Sequence, residues 1–562
     1  MNAIALAVMG LGAFGLGYVF YSRFIATRLF QLEADFVTPA HELEDGVDFV
    51  PTNRFVLWGH HFAAVAGAAP IIGPAIAVIW GWLPAFIWVV FGTIFFAGVH
   101  DFGALWASVR HKGQSIGALT ETVVGGRARS VFMIVIFLLL LMVNAVFGIV
   151  IGNLMVDVPG SVIPTWSVIV LAMVFGVLIY KKGLSLFWLT TIGVIALYGT
   201  IFLGDAIPLA LPDQVLGLGP ASQWVLILFM YAAVASVLPV WLLLQPRDYL
   251  NGVQLFVGLG VLYLGVIVGN PTIVAPAFNS NLPAGVPPLV PLLFVTIACG
   301  AISGFHGLVA SGTTSKQLNK ETDARMVGYL GSVGEGALAL AAIIACTAGF
   351  ASTAEWEAFY STFAAQGTNA WVQGGGQIAQ SLGLPVGFSE TLLAVMAILF
   401  AATTMDAGVR LQRYIIQEWG NIYKLDFLTG RYLSTAIAVI CCVILAFGAG
   451  EGGGAGGLMI WPLFGTTNQL LGGLTLAVIT LFLLKLGRPI WYTLLPLTFL
   501  LLMTFWALLI QLRQFYSQGN YLLIVMDLLI LGATIWVALE AMAALNRARK
   551  ERAGAPPAEV VS

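Results

Sequence analysis

The chain has 562 residues, 59% of them hydrophobic and 9% charged, with a formal net charge of −2; soluble domains hold roughly 45–50% apolar and about 25% charged residues. Its mean hydropathy is +0.95, more apolar surface than a water-soluble fold of this size can hide. These values exclude a soluble globular protein, and no basic block inside a folded region supports nucleic-acid binding.

Apolar runs long enough to cross a bilayer, about 20 residues, occur fifteen times. They lie near 3–22, 55–80, 83–109, 130–152, 163–180, 184–204, 222–246, 250–270, 290–313, 324–350, 387–409, 432–449, 457–484, 490–511 and 521–544. The first run, Ile4 to Phe20, lacks a basic flank before it and reads as a retained span rather than a cleaved signal. With the N-terminus outside, all but one of the 24 Lys and Arg fall on the cytoplasmic side, the exception being Arg513. Cytoplasmic loops are basic in multi-pass proteins, so this asymmetry supports the span count, an outside N-terminus and a cytoplasmic C-terminus. The loop 23–54 is the acidic exception and reads as solvated; the tail 545–562 reads as disordered.

The second span contains Gly67, Ala68, Ala69, Pro70, Gly73 and Pro74 in close succession. Prolines remove amide donors and glycines loosen a helix. Backbone freed at membrane depth must be buried or line a wet cavity, and transporters use such breaks to hold substrates and ions. In the seventh span Pro239 follows Ala235 and Ser236 in a similar central place. Five spans separate the two, so they run in opposite directions, as an inverted five-plus-five repeat requires; kinks made for packing alone are the alternative. The predicted fold is an all-α polytopic membrane protein. Residues 1–54 form an N-terminal helix and acidic loop, 55–204 and 222–409 the two repeats, and 432–544 C-terminal scaffold helices.

Ionisable groups inside the spans each need a partner. His60, His61 and Asp101 share a depth near the cytoplasmic side, where a His–carboxylate pair can relay protons or form a structural hydrogen bond. Ser303, Gly307, Ala310, Ser311 and Thr314 share one face of the ninth span, with His306 at its edge. Such a face serves close packing or supplies oxygen ligands; with Ala66 and Gly67, Ser303 and Ser311 are candidates for a sodium site. Glu335, flanked by glycines in the tenth span, is the deepest carboxylate and a candidate coupling group. Asp406, four residues before Arg410, reads as half of a helical ion pair. The run Trp461 to Gln469, which opens the thirteenth span with polar groups that need partners, reads as scaffold hydrogen bonding. Cys299, Cys346, Cys441 and Cys442 lie in apolar runs without metal-type spacing and read as small hydrophobes. No hydrolase elbow, zinc-helix motif or phosphate loop is present, and no cofactor is expected.

Several stretches resemble the carbon starvation protein A (CstA) family: Thr38-Pro39-Ala40-His41, Pro51-Thr52-Asn53, Gly59-His60-His61-Phe62, Leu238-Pro239-Val240-Trp241, Ser303-Gly304-Phe305-His306, Ser311-Gly312-Thr313-Thr314 and Trp461-Pro462-Leu463-Phe464-Gly465 with Asn468-Gln469. The similarity runs from about residue 30 to 510. It implies kinship with the amino acid–polyamine–cation superfamily, whose core is the inverted five-plus-five repeat. It also implies import of peptides or pyruvate-like small carboxylates across the bacterial inner membrane during carbon starvation, driven by H+ or Na+. Under that reading Gly67, Ala68, Ala69, Pro70, Gly73, Ala235, Ser236 and Pro239 bind the substrate. His60, His61, Asp101, Ser303, His306, Ser311, Thr314 and Glu335 couple it to the ion. A passive channel and a membrane sensor of starvation metabolites are the competing classes; the oligomeric state is left open.

Overall fold

The computed structural model describes residues 1–46, 48–123, 125–182, 186–363, 367–450 and 457–554. In chain order the principal helices are α1 (Ala3–Phe30), α2 (Arg54–Val65), α3 (Ala69–Trp80), α4 (Trp82–Arg110), α5 (Arg129–Asp157), α6 (Pro159–Ile179), α7 (Trp188–Ala206), α8 (Pro220–Val237) and α9 (Leu244–Gly269). They continue with α10 (Leu289–Thr296), α11 (Gly304–Gly312), α12 (Glu321–Ala348), α13 (Gly367–Gln380), α14 (Val386–Tyr423), α15 (Arg431–Gly448), α16 (Met459–Lys485), α17 (Trp491–Ser517) and α18 (Tyr521–Ala548). Among the described residues, 13 helices are long and apolar enough to span a bilayer, and α2 with α3 makes a fourteenth, bent by 52°. The remaining expected span, the ninth at 290–313, is α10 and α11, each too short to cross alone. Residues 545–554 extend the last helix to Gly554 instead of fraying; the rest of the tail and most of the Gly-rich segment 450–457 lie outside the described residues.

Both interruptions have local causes. Ala66 leaves the helix at ψ 78, and the chain re-enters at Ala69 with Pro70 in the first turn of α3, where a missing N–H costs nothing. In the ninth span the chain leaves at Ile297 and passes through Gly300 at φ +91, a conformation that favours glycine. The two breaks meet. A Cβ on Gly73 would lie 2.6 Å from the carbonyl oxygen of Thr296, and one on Gly300 would lie 3.4 Å from Pro70 Cβ.

The partner of the second span is therefore the ninth, and the expectation for the seventh is corrected. Pro239 does not interrupt a span. Leu238 is extended at ψ 152, as the residue before a proline prefers; α8 ends at Val237, residues 238–243 turn, and α9 starts at Leu244. The uninterrupted apolar run from Val237 to Leu244 disguised a turn as a helix centre.

The carbonyls freed by the second break are satisfied from both sides. Trp88 Nε1 donates to Ile297 O at 3.0 Å and Thr93 Oγ1 to Gly300 O at 3.1 Å, both from α4. From α16, Trp461 Nε1 donates to Thr296 O at 3.0 Å and Gln469 Nε2 to Phe294 O at 2.5 Å. Gly465 lets α16 come this close, since a Cβ there would meet Val295 O at 1.9 Å. The expected scaffold role of the 461–469 run thus holds for Trp461 and Gln469. On the other flank α5 packs against α14, where Gly408 leaves room for Asn144, whose Nδ2 donates to Gln412 at 3.3 Å.

Candidate functional site

A small cavity lies between the two breaks. Val65, Gly67, Ala69 and Pro70 line it from the second span, and Cys299, Ser303 and Phe305 from the ninth. Leu139, Val143 and Phe147 of α5, Thr404 of α14 and Phe464 of α16 complete the wall. The wall is mostly apolar, with three phenylalanines and, as polar side chains, the Ser303 and Thr404 hydroxyls and the Cys299 thiol.

Two half-helix N-termini point at this cavity, those of α3 and α11. They are not equivalent. Asn468 occupies the second: its Oδ1 accepts from the Phe305 amide at 3.1 Å, and its Nδ2 donates to Ser303 Oγ and Cys299 Sγ, each at 3.1 Å. At α3 the Ala68 carbonyl accepts from Ile71 and Ile72 at 3.0 Å. The amides of Ala68 and Ala69 have no protein acceptor among the described residues. Free amides at a helix start are a seat for a negative group.

Directly behind the break is a cluster of four titratable side chains, all fully or almost fully buried. Asp101 is its centre. His100 Nδ1 lies 2.7 Å from Asp101 Oδ1, and His306 Nδ1 lies 2.8 Å from Oδ2. Ser332 Oγ also donates to Oδ2, at 2.5 Å. The other ring nitrogen of His306, Nε2, stands 3.1 Å from Glu335 Oε2, near but off the alignment of a good hydrogen bond. The Gly300 backbone lies beside the Glu335 carboxylate. One imidazole thus sits between two carboxylates carried by α4 and α12, and rides on α11, one turn from Ser303 in the cavity wall. A proton added here changes the charge that holds the broken helix to its neighbours.

Several sequence-derived candidates lie elsewhere. His61 is buried in α2, with Nδ1 2.9 Å from Thr314 Oγ1, so this pair ties the second span to the ninth beside the cluster. His60 is exposed and outside it. Ser311 accepts from the Ile116 amide at 2.9 Å and donates to Gly307 O at 2.6 Å; it packs α11 against the short helix Ile116–Val123, away from Ala66, Gly67 and Ser303. Ala235, Ser236 and Pro239 are absent from the cavity. Instead the carbonyls of Ala235 and Leu238 accept from Arg410 Nη2 at 2.8 and 2.7 Å, and that of Ser236 from Arg413 at 3.1 Å. Arg410 is accordingly not the partner of Asp406. That carboxylate pairs with Arg247 of α9, and Tyr231 Oη bridges them at 2.7 Å to each. Cys299, which read as a small hydrophobe, and Thr404, which the sequence did not single out, do line the cavity.

The family described as Carbon starvation protein CstA matches residues 2–382 and 352–507. The chain is 32% identical to the "Peptide transporter CstA" of Campylobacter jejuni, over 92% of this chain and 82% of that one. It is 33% identical to the protein of the same name from Bacillus subtilis, over 89% of each. It is 31% identical to the "Pyruvate/proton symporter BtsT" of Escherichia coli, over 93% of this chain and 84% of that one. Among solved structures, a mutant of the Eremococcus coleocola manganese transporter superposes with a TM-score of 0.50 at 13% identity, covering 89% of this chain and 99% of that one. That likeness bears on the fold alone: a polytopic all-α bundle with an inverted five-plus-five core.

Proposed function

Because the chain belongs to the carbon starvation protein CstA family, we propose that it is a proton-coupled importer of a small organic carboxylate such as pyruvate, and not an enzyme. The observation that carries this reading is the cavity between two interrupted helices, backed by the His306 cluster on one of them. The carboxylate sits at the free amides of Ala68 and Ala69, its short apolar end against Phe147, Phe305 and Phe464. The proton is taken up between His306 and Glu335. Protonation removes charge from Glu335, loosens its hold on His306 and frees α11 to move relative to α4 and α12.

Two points favour protons over sodium. The cluster is built of titratable groups, and Ser311, one of the oxygens expected for sodium, is committed to α11 packing. The narrow cavity favours a pyruvate-sized substrate, whereas the relatives named as peptide transporters keep a short peptide as the second reading. We assign the repeats to spans two to six and nine to thirteen, each led by an interrupted helix, with α8 and α9 inserted between them. This keeps the first repeat at 55–204 and moves the second from 222–409 to 290–484. It makes α5 and α14 equivalent third helices, consistent with their packing at Gly408. The end bearing Arg54, Arg110 and Lys316 faces the cytoplasm of a bacterial inner membrane, with the N-terminus outside.

Uptake of labelled pyruvate and of dipeptides into proteoliposomes under imposed proton or sodium gradients tests the proposal. Saturable pyruvate uptake that follows the proton gradient is expected. Non-saturable flux would make the protein a channel, and binding without flux a sensor.

A further inference from the structure

The acidic segment 31–53, expected to be a solvated loop, is docked. Its first half meets the start of α12. The Glu33 amide donates to Glu321 Oε2 at 2.7 Å, and Arg110 joins both carboxylates, at 2.8 Å to Glu321 Oε2 and 3.0 Å to Glu33. Glu321 is fully buried in this contact, and the Arg110 guanidinium also lies 4.4 Å from the centre of the Phe36 ring. The middle reaches the turn after α11: His41 Nε2 lies 2.8 Å from Asn319 Oδ1, and Thr38 Oγ1 donates to Asn319 O at 3.4 Å.

The last part pairs backbone to backbone. Val50 N donates to Lys316 O at 3.2 Å and Thr52 N to Gln317 O at 3.0 Å, forming a parallel bridge between Thr52 and Leu318. Lys316 Nζ sits 5.4 Å from the centre of the Phe49 ring. The position of this bridge in the chain is what matters. Asn53 caps α2, so Thr52 immediately precedes the inner half of the second span. Lys316 to Leu318 follow α11, the inner half of the ninth, by only a few residues. The two half-helices that flank the cavity on the basic side are therefore tied directly to each other at their ends. They cannot separate while these bonds hold.

We propose that segment 31–53 is a latch closing the transport pathway at its basic end, and that its release from residues 316–321 is an obligatory step of the cycle. The contacts suit that role. The Arg110–Glu33 pair is partly exposed, so it exchanges with water at little net cost, while the backbone pairs give the closed state a defined register. The latch rests on the transport reading for its purpose but not for its first test.

Cys299 in the cavity wall is a native reporter. A charged, membrane-impermeant maleimide is applied to the basic side of oriented vesicles, and Cys299 modification is followed by mass spectrometry. Glu33→Ala and Val50→Pro each remove contacts worth about 1 kcal/mol, so each is expected to raise the rate about fivefold or more. Modification from the opposite side is expected not to rise. In a second arm, Thr52→Cys with Leu318→Cys places two thiols across neighbouring backbone segments, about 5 Å apart. Oxidation is expected to stop driven uptake and reductant to restore it. Unchanged Cys299 rates in both single variants overturn the latch, as does undiminished uptake by the oxidised pair. If the reduced pair is inactive, the maleimide arm alone decides. Failure of the transport reading leaves the maleimide result intact, so the two failures are told apart.

Discussion

Two clusters of buried charge lie at membrane depth, and they are built on opposite principles. At α8, α9 and α14, Arg247 is fully buried against Asp406, with Tyr231 between them. An arginine does not release its proton in a protein, so one member of this pair carries a fixed charge. At α4, α11 and α12, His306 is held between Asp101 and Glu335. All three are titratable, and the contact to Glu335 is the looser one. The first cluster is built around a fixed cation; in the second every member can change its charge. On the proposed reading, the first belongs to the scaffold and the second to the coupling machinery.

The sharpest way to break the comparison is to neutralise one member of each cluster. Glu335→Gln keeps the shape and removes the titration. Proton-driven uptake is expected to fall to the level of protein-free liposomes, while gradient-independent exchange of substrate persists and thermal stability hardly changes. Driven uptake at the wild-type rate would end the assignment of Glu335. Arg247→Met should do the reverse. It leaves Asp406 buried without its cation, which costs about 3–5 kcal/mol in comparable pairs. The melting temperature in detergent is expected to drop steeply and to recover in the double variant Arg247→Met with Asp406→Leu. Whatever activity survives should keep the wild-type pH profile; a shifted profile would mean that the Arg247 pair also takes part in proton movement.

A smaller effect is expected at Asn468. Asn468→Ala leaves the Phe305 amide and Ser303 Oγ without their partner, a loss of about 1.4 kcal/mol or tenfold. If Asn468 shapes the cavity, the loss falls on substrate KM; if it only braces α11, it falls on stability and leaves KM unchanged.

The sequence made some of this visible and hid the rest for physical reasons. Spans were legible because each apolar run is a local signal, and among the described residues the fifteen expected runs recur as 13 continuous helices and two interrupted pairs. Asp101, His306 and Glu335 were legible as singular charges in apolar surroundings. Their arrangement was not, because it depends on how α4, α11 and α12 are set side by side. For the same reason Asp406 seemed to belong with Arg410, four residues away, when its cation is 159 positions distant. The latch escaped notice because surface charge gives the same signal whether a loop is solvated or docked.

Proline proved a poor guide to breaks, and the smallest predicted effect tests that directly. Pro239 is exposed in a turn, where replacement by alanine alters chain stiffness and little else; its effect on stability should stay within about 0.5 kcal/mol, and uptake should be unchanged. Gly300 carries no proline signature, yet holds φ +91, and an added Cβ would lie 2.8 Å from that of Ala339. Gly300→Ala therefore meets both backbone strain and a clash beside the Glu335 carboxylate, and should impair uptake far more than Pro239→Ala. Had the seventh span been the second broken helix, the order would be reversed. Measuring both variants in one assay decides which pair of helices opens and closes, since the helix that needs its interruption is the one that fails when the interruption is filled.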